Sequence, residues 1–275
     1  MARRGMLAAA IALVACGGLA PGSSAASSPA TSSSSLTVTG GFVPNRLGAA
    51  STMELGFRIH RSAGETPQPV VGVEFELPAG VSLTTSELGL EVCDPAVLES
   101  AGPKGCKPNA VMGYGSALIL APDTAEAVLE PVKLTVFIGP PQDRHTTLLF
   151  YESGSSPVIT QQLFSGQMLE DAGPFGADLN TTLPLTSGLP GESDTTVVQM
   201  QAGIGPKGVT YYKSVNGVRT AYTPKGLAVP SRCPAGGFPF GVTLRFANGS
   251  TESASTRSPC PSSSGSARHP RRRSR

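Results

Sequence analysis

The chain has no tryptophan, only three histidines in 275 residues, and aromatic residues at 5%. Each shortage removes a class of function. Sugar-binding faces usually stack their ligand on flat rings, so the missing Trp opposes a carbohydrate reading. A metallohydrolase needs His clustered with carboxylates, whereas His60, His145 and His269 are far apart in the chain. There is no Gly-x-Ser-x-Gly elbow: the nearest string, Gly113-Tyr114-Gly115-Ser116-Ala117, has the wrong order and leads into a strand. Cys-x-x-Cys, a phosphate loop, a dinucleotide fingerprint and a calcium-loop alternation of Asp and Asn are all missing. The sequence therefore gives no catalytic residue, no metal ligand set and no cofactor. Paired carboxylates that meet only in the folded chain are the one enzymatic device left open.

What is abundant is glycine, 33 residues, and proline, 25, which favours turns and opposes long helices. The net charge is +2, but it is unevenly spread. Seven of the 21 basic residues are Arg3, Arg4, Arg268, Arg271, Arg272, Arg273 and Arg275, leaving 14 against 19 acidic ones, a net of −5 for the body. An acidic body excludes a nucleic-acid-binding domain, which carries its positive charge on a folded face.

Residues 1–16 read as an export leader. Arg3 and Arg4 make a basic start, and Met6 to Ala15 is apolar but too short to span a bilayer. Leu13-Val14-Ala15-Cys16 resembles the lipobox of bacterial lipoproteins, and the resemblance implies cleavage before Cys16 and a lipid on it. The alternative is an ordinary signal peptide cut near Ser24-Ala25-Ala26, which discards Cys16 and frees the protein. No later stretch is long and apolar enough for a transmembrane helix. Residues 17–35 are a Ser/Ala/Gly/Pro tether, and residues 261–275 an Arg-rich tail expected to be disordered.

Between tether and tail run short alternating segments. Met53, Leu55, Phe57 and Ile59 fall on one strand face, as do Val71, Val73, Phe75 and Leu77 on another. Similar runs cover 36–39, 117–120, 132–138, 147–151, 158–164, 195–204, 209–213 and 238–246. Pro-Gly turns punctuate them, and only Asp94 to Ser100 suggests a helical turn. The pattern predicts an all-β, antiparallel β-sandwich-type body, either one large sandwich or two abutting ones over 36–155 and 156–260.

Two hairpins are expected. Asn216-Gly217 suits a two-residue type I′ turn pairing Tyr211 with Tyr222 and Lys213 with Thr220. Asn248-Gly249, read the same way, pairs Arg245 with Glu252. Cys93 and Cys106 bracket a turn-rich loop, and Cys233 and Cys260 flank the open end of the second hairpin. Four cysteines permit three connectivities. The local one, 93–106 and 233–260, closes a turn with each bridge and implies an oxidising compartment. The wide spacings and the lack of a nearby His exclude zinc.

Two stretches carry a family resemblance. One is Leu77-Pro78-Ala79-Gly80 with Cys93, Cys106-Lys107-Pro108 and Gly113 to Ala117. The other is Cys233-Pro234-Ala235-Gly236-Gly237-Phe238, Phe246 to Ser250 and Pro259-Cys260-Pro261. Together they resemble a broad group of exported proteins of high-GC Gram-positive bacteria, which commonly has Cys-Pro where this chain has Cys106-Lys107. The resemblance implies secretion, a β-rich body and local disulfides, and brings no activity.

The expectation is an exported cell-envelope protein, a signal-peptide-bearing lipoprotein held at the membrane through Cys16, acting as a non-catalytic binding or structural module. A secreted hydrolase with hidden carboxylates is the alternative. The best sequence-level binding surface is the hairpin with Tyr211, Lys213, Arg219, Tyr222 and Lys225, since amphipathic Tyr beside cations suits recognition. The competing reading makes Tyr211 and Tyr222 a core-packed pair. The Arg tail suits anionic lipids or wall polymers.

Overall fold

A chain that alternates apolar and polar residues can bury one face of each strand, and this body is built almost wholly that way. The computed structural model describes residues 35–261 except 63–64, 84–85, 122–127, 156–159, 172 and 188–193. Cys16, the tether up to residue 34 and the arginines of the tail lie outside the described residues.

The strands are β1 (Ser35–Val43), β2 (Ala50–His60), β3 (Val70–Pro78), β4 (Val111–Ala121), β5 (Val128–Ile138), β6 (Thr146–Gly154) and β7 (Thr160–Glu170). They continue with β8 (Phe175–Thr182), β9 (Thr196–Ile204), β10 (Tyr211–Val215), β11 (Val218–Tyr222), β12 (Leu227–Ala228), β13 (Phe238–Phe246) and β14 (Thr251–Ser258). One antiparallel sheet runs β1-β2-β9-β4-β5-β6-β7-β8-β3-β13-β14, with β12 beside β2 and β10-β11 as a separate hairpin. Strands from the two expected halves alternate in this order: β9 lies between β2 and β4, and β13 beside β3.

The sheet curls until its ends meet. Phe42 of β1 packs against Phe238 and Phe240 of β13, with ring centroids 5.3 and 5.7 Å apart. The Asn45 amide donates to the Pro259 carbonyl at 2.9 Å. No ladder joins β1 to β14, so the closure rests on side chains. The all-β, antiparallel expectation is met, as a nearly closed, barrel-like sheet.

Register shows which residues face inward. Gly40, Leu55, Ala202, Gly115, Leu134 and Glu152 form one inner row across β1, β2, β9, β4, β5 and β6. The neighbouring outer row is Thr39, Gly56, Gln201, Ser116, Lys133 and Ser153. Apolar inside and polar outside is the inverse of a barrel that faces lipid. The exception is β6, buried on both faces. Its outer residues Leu149 and Tyr151 are covered, with Phe137, by the loop that holds Cys93, Leu98 and Ala110. Within that loop a short helix, α1 (Pro95–Ala101), starts at Asp94, whose carboxylate accepts from the Ala96 amide at 2.8 Å. Proline at its first position and Gly102 at its end, φ 66°, complete the stop signals. It matches the expected turn over 94–100.

Both disulfides have the local connectivity, with Cα–Cα distances of 5.3 Å for Cys93–Cys106 and 5.7 Å for Cys233–Cys260. The first clamps the α1 loop and the second closes the base of β13–β14, beyond the last pair, Phe238 with Ser258.

The hairpins behave differently. Asn216 (φ 52°) and Gly217 (φ 79°) form the expected type I′ turn, pairing Tyr211 with Tyr222 and Lys213 with Thr220. In β13–β14 the register is one residue away from expectation: Arg245 faces Thr251, and Glu252 faces Leu244. Here only Gly249 takes positive φ, 84°; its amide donates to Phe246 O and the Phe246 amide to Ser250 O. That is a three-residue loop with a bulge, not a two-residue turn. Arg245 reaches sideways instead, donating to Asn180 Oδ1 and Thr181 O at 3.1 and 3.2 Å. Strand β8 was not anticipated. Phe-Gly-Ala-Asp-Leu-Asn-Thr-Thr buries only Leu179 and Thr181, and is held as a strand by β3 and β7 on its two sides.

Candidate functional sites at the two ends of the barrel

The hairpin singled out from sequence divides into different roles. Tyr211 is fully buried; its hydroxyl donates to Val111 O at 2.6 Å and accepts from the Gly89 amide at 2.8 Å. Burial is the main cause that pushes its phenol up to about 12. Tyr222 packs edge-on against it, centroids 6.0 Å apart. The core-pair reading therefore holds for both tyrosines. Lys225 is tied to Glu87 at 2.7 Å, away from the hairpin tip. Lys213 lies 5.2 Å over the Tyr222 ring on one face, and Arg219 3.8 Å over the Tyr212 ring on the other. Asn109 holds the hairpin to the body through two bonds with the Tyr212 backbone, at 2.9 and 2.8 Å. Both exposed cations are thus engaged in stiffening the hairpin, and the five residues do not converge on one surface.

Of the sites not seen in the sequence, the first is the barrel mouth formed by the β5–β6 turn and the ends of β3 and β7. It holds a cleft of about 670 Å³. Its floor is apolar, with Met53, Leu77, Leu148, Ile204 and Leu227. Its rim carries Asp143, Arg144, His145 and Glu170. Asp143 (φ 49°) and Arg144 (φ 68°) form the tight turn between β5 and β6, closed by Gln142 and His145. Two successive non-glycine residues in the left-handed region are a strained choice, and they set a charged pair at the lip. Fluctuating local order of other residues is not required for access, since the floor is already in place.

The second is the opposite end. Glu130 and Glu152 both point into the interior and are 2% and 6% exposed. Glu130 stands beside Ile119 and Glu152 beside Leu134 in the ladders, each in phase with core residues. Thr160 Oγ1 donates to Glu130 Oε1 at 3.1 Å. Glu152 Oε1 is buried with no hydrogen-bond partner among the described residues. Burial first, and the nearby Glu130 carboxylate second, push Glu152 up to about 7. The pocket it borders holds only about 40 Å³, between Gln162, Phe164, Leu134 and Met200. The expected strand runs 132–138 and 147–151 stop just short of these two acids. Extending the alternation by one step in each strand, from Val132 to Glu130 and from Phe150 to Glu152, would have found them.

Two surface features complete the survey. A groove of about 790 Å³ crosses the outer face of β1, β2, β9 and β4, bordered by Tyr114 and the Lys207–Glu54 pair at 2.9 Å. Glu74, Glu76, Asp171 and Asp178 make an acidic patch where β3 meets β8, and Glu76 and Asp178 are raised by partial burial and then by their acidic neighbours. Among the described residues no three His, Cys, Asp or Glu side chains are grouped as a metal site, and no helix is long and apolar enough to cross a membrane. His60 bonds only to Thr37, at 3.1 Å.

Comparison with family models, curated proteins and solved structures gives no match to the chain.

Proposed function

We propose that this chain is an exported cell-envelope protein that binds a small, largely apolar molecule without transforming it. The observation that carries the reading is the mouth cleft. Its volume is in the range of small-molecule sites, its floor is apolar and its polar groups are confined to the rim. No nucleophile and base are hydrogen-bonded to each other there among the described residues, so the cleft suits retention and not chemistry. The two disulfides support an oxidising location. In this reading a lipid on Cys16 anchors the chain, the Ser/Ala/Gly/Pro segment spaces it from the membrane, and the Arg tail contacts anionic lipids or wall polymers. The rolled sheet serves as a sandwich-type body whose two facing layers share one core.

A hydrolase is the second reading, because Glu130 and Glu152 are the converging, raised carboxylates such an enzyme needs. The space at Glu152, about 40 Å³, argues against it: it admits water but not a sugar ring or an ester.

Two experiments test the proposal. Cys16→Ala should move the protein from membrane to medium, and an unchanged distribution rejects the anchor. The wild type should bind an apolar fluorophore such as anilinonaphthalene sulfonate, and Leu83→Trp, which fills the cleft, should abolish the signal. Fluorophore binding that Leu83→Trp leaves intact rejects the mouth as the site.

A further inference from the structure

The two inward carboxylates pose a charge problem that the described residues do not solve. Neither Glu130 nor Glu152 has a salt-bridge partner among them. The side chains around them, Val70 of β3, Ile119 of β4, Leu134 of β5, Phe164 of β7 and Met200 of β9, carry no charge. An unpaired buried charge costs several kcal/mol even after relaxation. Something positive must therefore come from outside the chain, either protons or an ion.

The groups at this end are arranged as donors of oxygen. Gln162 stands directly across from Glu152 in the β6–β7 ladder, and Thr160 across from Gly154. The Gln162 side-chain nitrogen donates to Pro184 O at 3.2 Å, which leaves its carbonyl oxygen as the uncommitted end. Gly154 keeps the space open: a β-carbon there would lie 2.6 Å from Thr160 Oγ1 and collide with Glu130 Oε1. A small pocket and an unpartnered, more than nine-tenths buried carboxylate oxygen meet at this point.

We propose that Glu130, Glu152, Thr160 and Gln162 form an internal site for one hard divalent cation, calcium before magnesium. Two carboxylates match a charge of +2. An all-oxygen set of carboxylate, amide carbonyl and hydroxyl suits calcium and offers nothing to zinc or copper. The pocket has room for the ion with a water or two. Magnesium, which holds its waters tightly and demands octahedral geometry, fits less well. Protons compete for the same oxygens, because Glu152 titrates near 7 and no other ionisable group faces it except Glu130. The site is remote from the mouth cleft and does not depend on a ligand binding there.

The test is calcium titration of the full chain by calorimetry in chelator-stripped buffer. One calcium ion should bind at pH 8, with affinity falling about tenfold by pH 6. Runs in buffers of different ionisation enthalpy should show proton release near pH 7, a readout that needs no variant. Magnesium should bind more weakly. Glu152→Gln and Glu130→Gln should each abolish calcium binding while circular dichroism keeps the β signature. Calcium binding that survives both substitutions would assign the ion to the outer acidic patch and overturn the proposal. A wild type that binds no calcium, yet gains Tm as pH falls, would show that protons alone balance the pair, and would also overturn it.

Discussion

Gly40 of β1 lies against the Phe240 ring of β13 so closely that a β-carbon at residue 40 would overlap the ring. The two strands are far apart in the hydrogen-bonded order of the sheet, at its opposite ends. Their contact is what turns an open sheet into a nearly closed one. With no ladder across the seam, the fit of glycine to ring takes over the role that backbone bonds play elsewhere.

Filling that space should loosen the closure. Gly40→Val is expected to destabilise the fold by about 1–3 kcal/mol, the usual cost of overpacking. Urea unfolding should show a lower midpoint. Gly48→Ala, with no atom within 4 Å but φ of 67°, is the control for backbone strain alone.

The hydroxyl of Tyr211 joins two parts of the chain that are distant in sequence, the Val111 carbonyl and the Gly89 amide. Tyr211→Phe keeps the ring but orphans both groups. A loss of about 1–3 kcal/mol in chemical denaturation is expected, with hairpin pairing retained. A neutral result would mean that water replaces the hydroxyl.

Stability should depend on pH through Glu152. Its carboxyl is raised from 4.5 to about 7 in the folded chain, so the fold favours the protonated form. The contribution is fully present below 4.5 and is lost as pH rises from there through 7. The upper limit is about 3 kcal/mol, from the size of the shift. Glu76 and Asp178 are raised too and act in the same direction. In chelator-treated buffer Tm should fall between pH 5 and 8, and Glu152→Gln should flatten that slope and raise Tm at pH 8.

Each disulfide closes a short loop, and its removal is expected to cost about 3 kcal/mol in the chain-entropy account. Intact mass without reductant should show no free thiol at the four body cysteines. Replacing Cys93 and Cys106 together should also expose Phe137, Leu149 and Tyr151, because the clamped loop is their cover. Faster amide exchange in β5 and β6 than in β2 and β9 is the readout.

Local chemistry alone determined much of this protein. Alternation located β2, β3 and β13, Asn216-Gly217 set one turn, Asp94-Pro95 started α1, and short separations paired the cysteines. These features depend on residues near each other in the chain, where dihedral preference and side-chain period act directly. Long-range packing decided the rest. It made a strand of residues 175–182, moved Arg245 off Glu252, placed Tyr211 in the core and turned Glu130 and Glu152 inward. It also rolled the sheet until Gly40 met Phe240. Burial, and therefore the charge state of a carboxylate and the shape of a cleft, depends on which distant strands become neighbours, and no local pattern encodes that.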